Sequence, residues 1–248
     1  MAQPAELSGQ LKQAGQVLLE ELTSLHFSPP VAHVYNPLGY AWAPYASYLE
    51  KYASTPKRVI FLGMNPGPFG MVQTGIPFGE IRAVRDWLGI NATVLGPDSQ
   101  HPRRPILGFG CSRSEVSGRR LWGLFAARFG DPQVFFQEHF VLNYCPLAFL
   151  EESGANRTPD KLPAAEKGKL FDACNRHLAR FISLLDPKFV IGVGNFAANQ
   201  ARQALANSPV RIESVLHPSP ANPAANRDWA GAVSRELERL GVWTSGSR

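Results

Sequence analysis

The chain lacks the markers of several protein classes. Its 248 residues hold only three cysteines, Cys111, Cys145 and Cys174, too few and too scattered for a disulfide framework or for the four ligands of a structural zinc or iron–sulfur site. Neither a metal nor a cofactor is expected. No apolar run approaches the roughly 18 to 20 residues that cross a bilayer, and the N-terminus has no basic flank followed by an apolar block. A cytosolic protein without membrane contact is expected. Internal repeats and low-complexity linkers are also missing, and charged residues make up only 18%. Against that stand 44% hydrophobic residues with 15 Phe and 5 Trp, which exclude a disordered chain and an all-charged coiled coil. A chain of this length buries roughly 70 to 75% of its unfolded surface in one core, so a single domain over residues 1–248 is expected, with 1–34 as a helical extension packed on it.

Lys and Arg number 25 against 20 Asp and Glu, a net charge of +5. The same excess is concentrated between His101 and Gly130, where six Arg (103, 104, 113, 119, 120, 128) meet one acid, Glu115. Either an anionic polymer or plain solvation of a basic face accounts for such a stretch.

Hydrophobic spacing sets the elements. Leu7, Leu11, Leu18, Leu22 and Leu25 predict an opening helix over 6–25. A Pro- and Tyr-rich connection through Tyr48 follows. Arg58–Leu62 is a short continuous apolar run, the pattern of a strand buried on both faces. Residues 63–79 hold five Gly and three Pro in seventeen positions, which predicts a shaped loop without regular helix. Helices are expected over 80–88 and 114–129, a strand over 140–143, a helix over 165–185, a strand over 189–193, a helix over 195–206, a strand over 210–216 and a closing helix over 226–240. Strands separated by helices imply a parallel sheet covered on both faces, so the expected fold is a three-layer α/β/α domain around a mainly four-stranded sheet.

In such sheets ligands gather outside the carboxyl ends of the strands. Asn65, Asn143, Asn195 and His217 all fall at or just beyond a strand end. Each also has a plainer reading: Asn65 as a turn former, His217 as a structural imidazole, Phe69 and Phe78 as anchors under an irregular loop. His217 differs from the other five histidines because it opens His217-Pro-Ser-Pro-Ala-Asn-Pro223, a loop stiffened by three prolines. Cys145, next to Pro146, has the sequence position of a small buried residue and not of a nucleophile.

Four segments carry a family resemblance. GMNPGPFGM (63–71), QTGIPFGE (73–80), NYCPL (143–147) and HPSPANPAANRDW (217–229) resemble the single-strand-selective monofunctional branch of the uracil-DNA glycosylase superfamily, over about residue 35 to the C-terminus. The resemblance implies an uracil-DNA glycosylase-like fold and an enzyme of base excision repair. It implies that Asn65 holds the attacking water and His217 steadies the departing base, as the catalytic pair. Asn143 then reads the uracil edge, Phe78 stacks on it, and Met64 and Gly67 supply backbone contacts. The segment containing Pro218, Ser219, Pro220, Ala221, Asn222 and Arg227 matches the element that enters the duplex. The family usually has Arg where this chain has Ala221. A methyl group cannot fill a vacated base stack, so wedge duty passes to the prolines or Arg227, or action on duplexes is weaker.

Hydrolysis of an N-glycosidic bond leaves positive charge on deoxyribose and negative charge on the base, and a dry pocket must stabilise both. No Lys lies between Arg58 and Asp160 or in the last motif, so no amine is at hand for Schiff-base strand cleavage. A monofunctional hydrolase is expected, monomeric, acting on uracil in single- and double-stranded DNA. Activity on 5-hydroxymethyluracil is implied by the resemblance alone. Two other readings use the same residues: a hydrolase of free nucleosides, and a non-catalytic nucleic-acid-binding module, against which the intact Asn65 and His217 speak.

Overall fold

The computed structural model describes residues 4–244. Helix α1 (Pro4–Thr23) buries Leu7, Leu11, Leu18 and Leu22 against α3 (Trp42–Tyr52) and α7 (Ala164–Leu185), while Leu25 lies past its end and half-buried. Each fully buried Leu removes enough apolar surface from water to contribute roughly 1.5 to 3 kcal/mol, which is why a leucine stripe fixes a helix to its support.

The expected connection through Tyr48 is instead ordered. It holds a strand, β1 (Val31–Tyr35), a short helix α2 (Pro37–Tyr40) and α3. Strand β1 pairs antiparallel with β4 (Ala148–Glu151), which also pairs with β5 (Asn156–Arg157). Strands β1 and β4 are more than a hundred residues apart, so no local signal announces that pairing. The prolines that suggested a connection sit where helices tolerate them: Pro37 opens α2 behind the Asn36 cap, and Pro44 lies in the first turn of α3.

The main sheet is parallel, with strand order β3 (His139–Asn143), β2 (Val59–Gly63), β6 (Phe189–Val193) and β7 (Arg211–Val215). Strands β2 and β3 are buried at every residue, as continuous apolar runs require. Helices flank this sheet in two groups. Helix α7 packs on α1 and on α8 (Asn195–Ala204); α5 (Val116–Phe129) packs on α6 (Pro132–Glu138) and on α9 (Ala225–Arg239). The second group closes over an aromatic core in which the Phe125 and Phe135 rings stack at 4.4 Å and Trp122 and Trp243 meet Phe125 edge-on. No helix among the described residues is long and apolar enough to cross a membrane.

Four elements depart from the sequence reading. The loop over 63–79 contains one helical turn, α4 (Met71–Thr74), because its glycines and prolines fall outside the four residues MVQT; Gly75 ends the turn at φ 74°. The expected helix over 80–88 is a wide π-helical turn, Ala83–Trp87, whose start is capped by the Glu80 carboxylate accepting the Ala83 N–H at 3.0 Å. Helix α6 was passed over, although Asp131 caps it and Pro132 occupies its first position. The closing helix α9 is kinked at Asp228 (φ −155°, ψ 72°), whose carboxylate accepts the Gly231 N–H at 2.9 Å and so starts the second segment.

Candidate active site

Strands β2, β3, β6 and β7 run in parallel, so their carboxyl ends deliver the following loops to one edge. There a cavity of about 220 Å³ is lined by Met64, Asn65, Gly67, Phe78, Asn143, His217 and Ser219, among others. All six residues expected to act on the base therefore meet around one space, although 152 positions separate Asn65 from His217. Of the strand-end residues, Asn195 is not among the lining; it starts α8.

Asn65 is half-buried, two residues beyond β2. Its Nδ2 donates to the Leu147 carbonyl at 3.1 Å, which fixes the amide and leaves Oδ1 free to accept from a water. The loop after β3 is held to the same segment by Cys145 N–H donating to the Met64 carbonyl at 2.9 Å. Cys145 itself is fully buried, in keeping with a packing role.

His217 follows β7. Its Nδ1 accepts the Ser219 N–H at 3.1 Å, so the ring proton of the neutral imidazole resides on Nε2. Burial lowers the His217 pKa from its ordinary value and keeps the ring neutral near pH 7. The ring rests against Gly194, whose φ of 96° few other residues adopt. The start of the loop is tied to α9 by Trp229 Nε1–H donating to the Leu216 carbonyl at 2.7 Å.

Phe78 stands at φ 54°, a left-handed conformation that costs a non-glycine residue on the order of 1 to 3 kcal/mol and persists only where its surroundings impose it. Its carbonyl accepts the Glu80 N–H at 2.7 Å. The ring lies 6.4 Å from that of His217, tilted by 43°. Across from it, Asn143 is 6% exposed and donates from Nδ2 to Met71 Sδ at 3.3 Å. Asn143 is the register partner of Gly63, and a Cβ at 63 would overlap the Asn143 oxygen and the Phe78 ring.

The last loop is internally braced. Ser219 Oγ accepts the Ala221 N–H at 3.2 Å, and Asn222 Oδ1 accepts the Ala224 N–H at 3.1 Å. Pro218 is buried, whereas Pro220, Ala221 and Arg227 are exposed. Arg120 of α5 reaches across to donate to the Pro218 carbonyl at 2.9 Å and to Asn226 Oδ1 at 3.0 Å, and Asn226 donates to the Pro220 carbonyl at 2.9 Å.

The basic stretch is thus no uniform face. Arg120 and Arg128 hold structure, the latter against Glu238 and the Trp243 ring. Arg103 and Arg104 donate to the carbonyls of Ser153 and Gly154. Arg104 also lies over the Phe69 ring at 5.4 Å, and Arg113 lies over it at 4.0 Å.

Sequence reasoning missed Glu115, counted only as the lone acid in that stretch. Its carboxylate lines the cavity beside Gly67, where any Cβ would overlap it. Burial raises its pKa, while hydrogen bonds from the Phe69 and Ser117 amides act in the opposite direction. An acid directly before an apolar helical run was the available signal. Asn156 and Thr158 also line the cavity, supplied by β5 and the residues after it. Among the described residues no group of three or more His, Cys, Asp or Glu is arranged to hold a metal ion.

Comparison with known proteins gives the family and the fold. The family model described as "Uracil DNA glycosylase superfamily" matches residues 50–237. The single-strand selective monofunctional uracil-DNA glycosylase of Rattus norvegicus is 51% identical over 224 residues, covering 90% of this chain and 81% of the relative. That of Bos taurus is 48% identical over 241 residues, covering 96% and 89%. Among solved structures, SMUG2 of Pedobacter heparinus superposes with a TM-score of 0.66 at 18% identity, covering 92% of this chain and 97% of the other, a likeness of fold. The chain belongs to the uracil-DNA glycosylase superfamily, in its single-strand selective monofunctional family.

Proposed function

We propose that the protein hydrolyses the N-glycosidic bond of uracil in DNA and leaves an abasic site without cutting the strand. The observation that carries this reading is one small cavity shared by an amide with a free oxygen and a neutral imidazole with a free Nε2–H. A neutral amide has no useful proton affinity near pH 7, so Asn65 acts by orienting water toward the deoxyribose carbon as the bond stretches. A cationic sugar tolerates so weak a nucleophile. His217 donates from Nε2 to a carbonyl oxygen of the departing base, where negative charge accumulates. A preorganised donor of this kind is worth the most in a site that excludes water.

The base must first leave the stack, at a cost of a few kcal/mol that is smallest for unpaired uracil. Stacking on Phe78 returns roughly 1 to 3 kcal/mol of it. Asn143 offers a donor and an acceptor to the uracil edge; cytosine presents the opposite pattern and leaves buried groups unpaired. Asn65, His217, Phe78 and Asn143 do the chemistry and recognition, with Met64 and Gly67 shaping the pocket by their backbone. The exposed part of the loop over 218–227 meets the DNA. Uracil in single and double strands is the substrate, 5-hydroxymethyluracil a further one, and the enzyme acts as a monomer.

Uracil-containing single- and double-stranded oligonucleotides test this reading. Incubation followed by alkali is expected to break the strand at the uracil position, and omission of alkali to leave it whole. Strand breakage without alkali, or release of uracil from free deoxyuridine with no effect of salt on oligonucleotide binding, would overturn it.

A further inference from the structure

A second and larger concavity, about 690 Å³, is lined by residues that adjoin those of the base pocket along the chain. Phe78, Glu115 and Ser117 line the pocket, and their near neighbours Glu80, Ser114 and Arg119 line this groove. The hydrolysis described above makes no use of it.

Its chemistry is specific. Four guanidinium groups line it, Arg82, Arg85, Arg113 and Arg119, against the single carboxylate of Glu80, which is occupied with the Ala83 amide. Arg85 is paired with Asp86 at 2.7 Å, and Arg113 lies on Phe69. Arg82 is exposed and makes no hydrogen bond or salt bridge among the described residues, and Arg119 reaches only Ser114 Oγ, at 3.5 Å. Arg82 shares with Arg85 the charge of Asp86, so the guanidinium groups of the groove outnumber the carboxylates that face them.

The groove is aromatic as well. Trp87 and Phe109 are half-buried along it, and Trp122 forms part of its lining. Trp122 is 1% exposed, yet its indole Nε1–H has no acceptor among the described residues, an unusual state for a buried donor. Arginines interleaved with half-exposed ring faces are what an unpaired strand requires, phosphates meeting guanidinium and bases meeting rings. A duplex keeps its base faces stacked on one another and has no use for such rings.

We propose that this groove binds the single-stranded continuation of the substrate strand, its phosphates on Arg82 and Arg119 and a neighbouring base against Phe109 or Trp87. The proposal rests on the glycosylase reading and adds to it the path by which an unpaired strand leaves the pocket. It supplies a physical basis for handling single strands that is independent of the loop over 218–227.

The test compares the wild-type enzyme with Arg82→Ala/Arg119→Ala and Arg82→Lys/Arg119→Lys, using single-stranded uracil oligonucleotides with short or long flanks and the corresponding duplexes. For the wild type, KM is expected to fall as the flanks lengthen. The double Ala variant is expected to lose that gain, with KM on the long substrate raised about tenfold and the salt slope reduced by about 1.4, while kcat stays unchanged. The Lys variant is expected to recover most of the affinity, which a merely structural defect would not allow. Unchanged KM and salt slope in the Ala variant, or an effect confined to duplex substrates, would overturn the groove assignment and leave the glycosylase reading standing. Failure of the wild type to release uracil from any oligonucleotide would overturn both.

Discussion

Gly63 and Asn143 face each other as register partners on adjacent parallel strands, and the space between them is filled by the edge of Phe78, leaving no room for a methyl group. The site is thus built on the two most buried strands of the sheet, and it depends on the absence of a side chain at Gly63. Gly63→Ala is expected to push either the reading amide or the stacking ring out of place. Misplacements of about 1 Å cost roughly a hundredfold, so kcat/KM for uracil release should fall by about that factor. A variant with normal kcat/KM and normal thermal stability would mean that the ring and amide are not fixed by this contact.

The pH dependence of catalysis follows from the protonation states. Asn65 does not titrate, and burial holds the His217 pKa below its ordinary value, so the ring stays neutral above neutrality. Single-turnover excision should vary by less than about threefold between pH 6.5 and 8.5. At lower pH a proton on Nδ1 would confront the Ser219 N–H and break the brace at 3.1 Å. A bell-shaped profile centred near pH 7 would contradict a neutral donor.

Stability has a separate acid dependence, set by two buried histidines outside the lining of the pocket. Burial lowers His139 and His177 from 6.5 to about 4 each. In His139, Nδ1 faces the Phe135 carbonyl at 2.9 Å and Nε2 faces the Trp243 indole N–H at 3.2 Å, so an added proton on Nε2 would meet another donor. Above pH 6.5 both rings are neutral whether folded or unfolded. Below it the unfolded chain takes up protons that the folded chain refuses until about pH 4. Stability should therefore fall across that window, by up to roughly 3 kcal/mol per histidine. Denaturant titrations of His139→Gln, which keeps an acceptor for Trp243, should show a shallower decline; an unchanged slope would remove His139 as a cause.

Ala221 is exposed at the tip of a loop whose backbone is already fixed by Ser219 and Asn222. Ala221→Arg should add a side chain able to fill a vacated stack without altering the loop. The ratio of excision from duplex to single-stranded uracil should rise about tenfold, roughly the worth of one stacking contact. An unchanged ratio would show that duplex entry does not depend on this position.

The sheet was legible because β2, β3 and β6 are built on continuous apolar runs and the long crossover helix α7 carries its own stripe, while the edge strand β7 shows the mixed pattern of a half-exposed strand. Phe189–Val193 and Ala164–Leu185 illustrate this: burial writes a local period into the residues. The antiparallel trio β1, β4 and β5 was not legible, since β1 pairs with β4 far away in sequence and β5 is only two residues long. In the same way Asn65, Asn143 and His217 could be placed at strand ends from their position alone, whereas the position of Glu115 signalled only a helix start and not a place in the pocket. Its part in the pocket arises from close approach to Gly67, a contact between a helix start and a loop that neither segment announces. The basic stretch misled in another respect. Spacing counted its charges but not their partners, and Arg120 and Arg128 prove to be ties between α5 and the C-terminal segment.

The central claim is that Asn65 and His217 act on the same extruded base from one cavity. Single-turnover excision of uracil from a single-stranded oligonucleotide by Asn65→Ala, His217→Ala and the double variant tests it most directly. Each single substitution should slow the reaction by about two to three powers of ten or more with the fold retained, and the double variant should lose less than the product of the two. Near-wild-type rates in both single variants would contradict it.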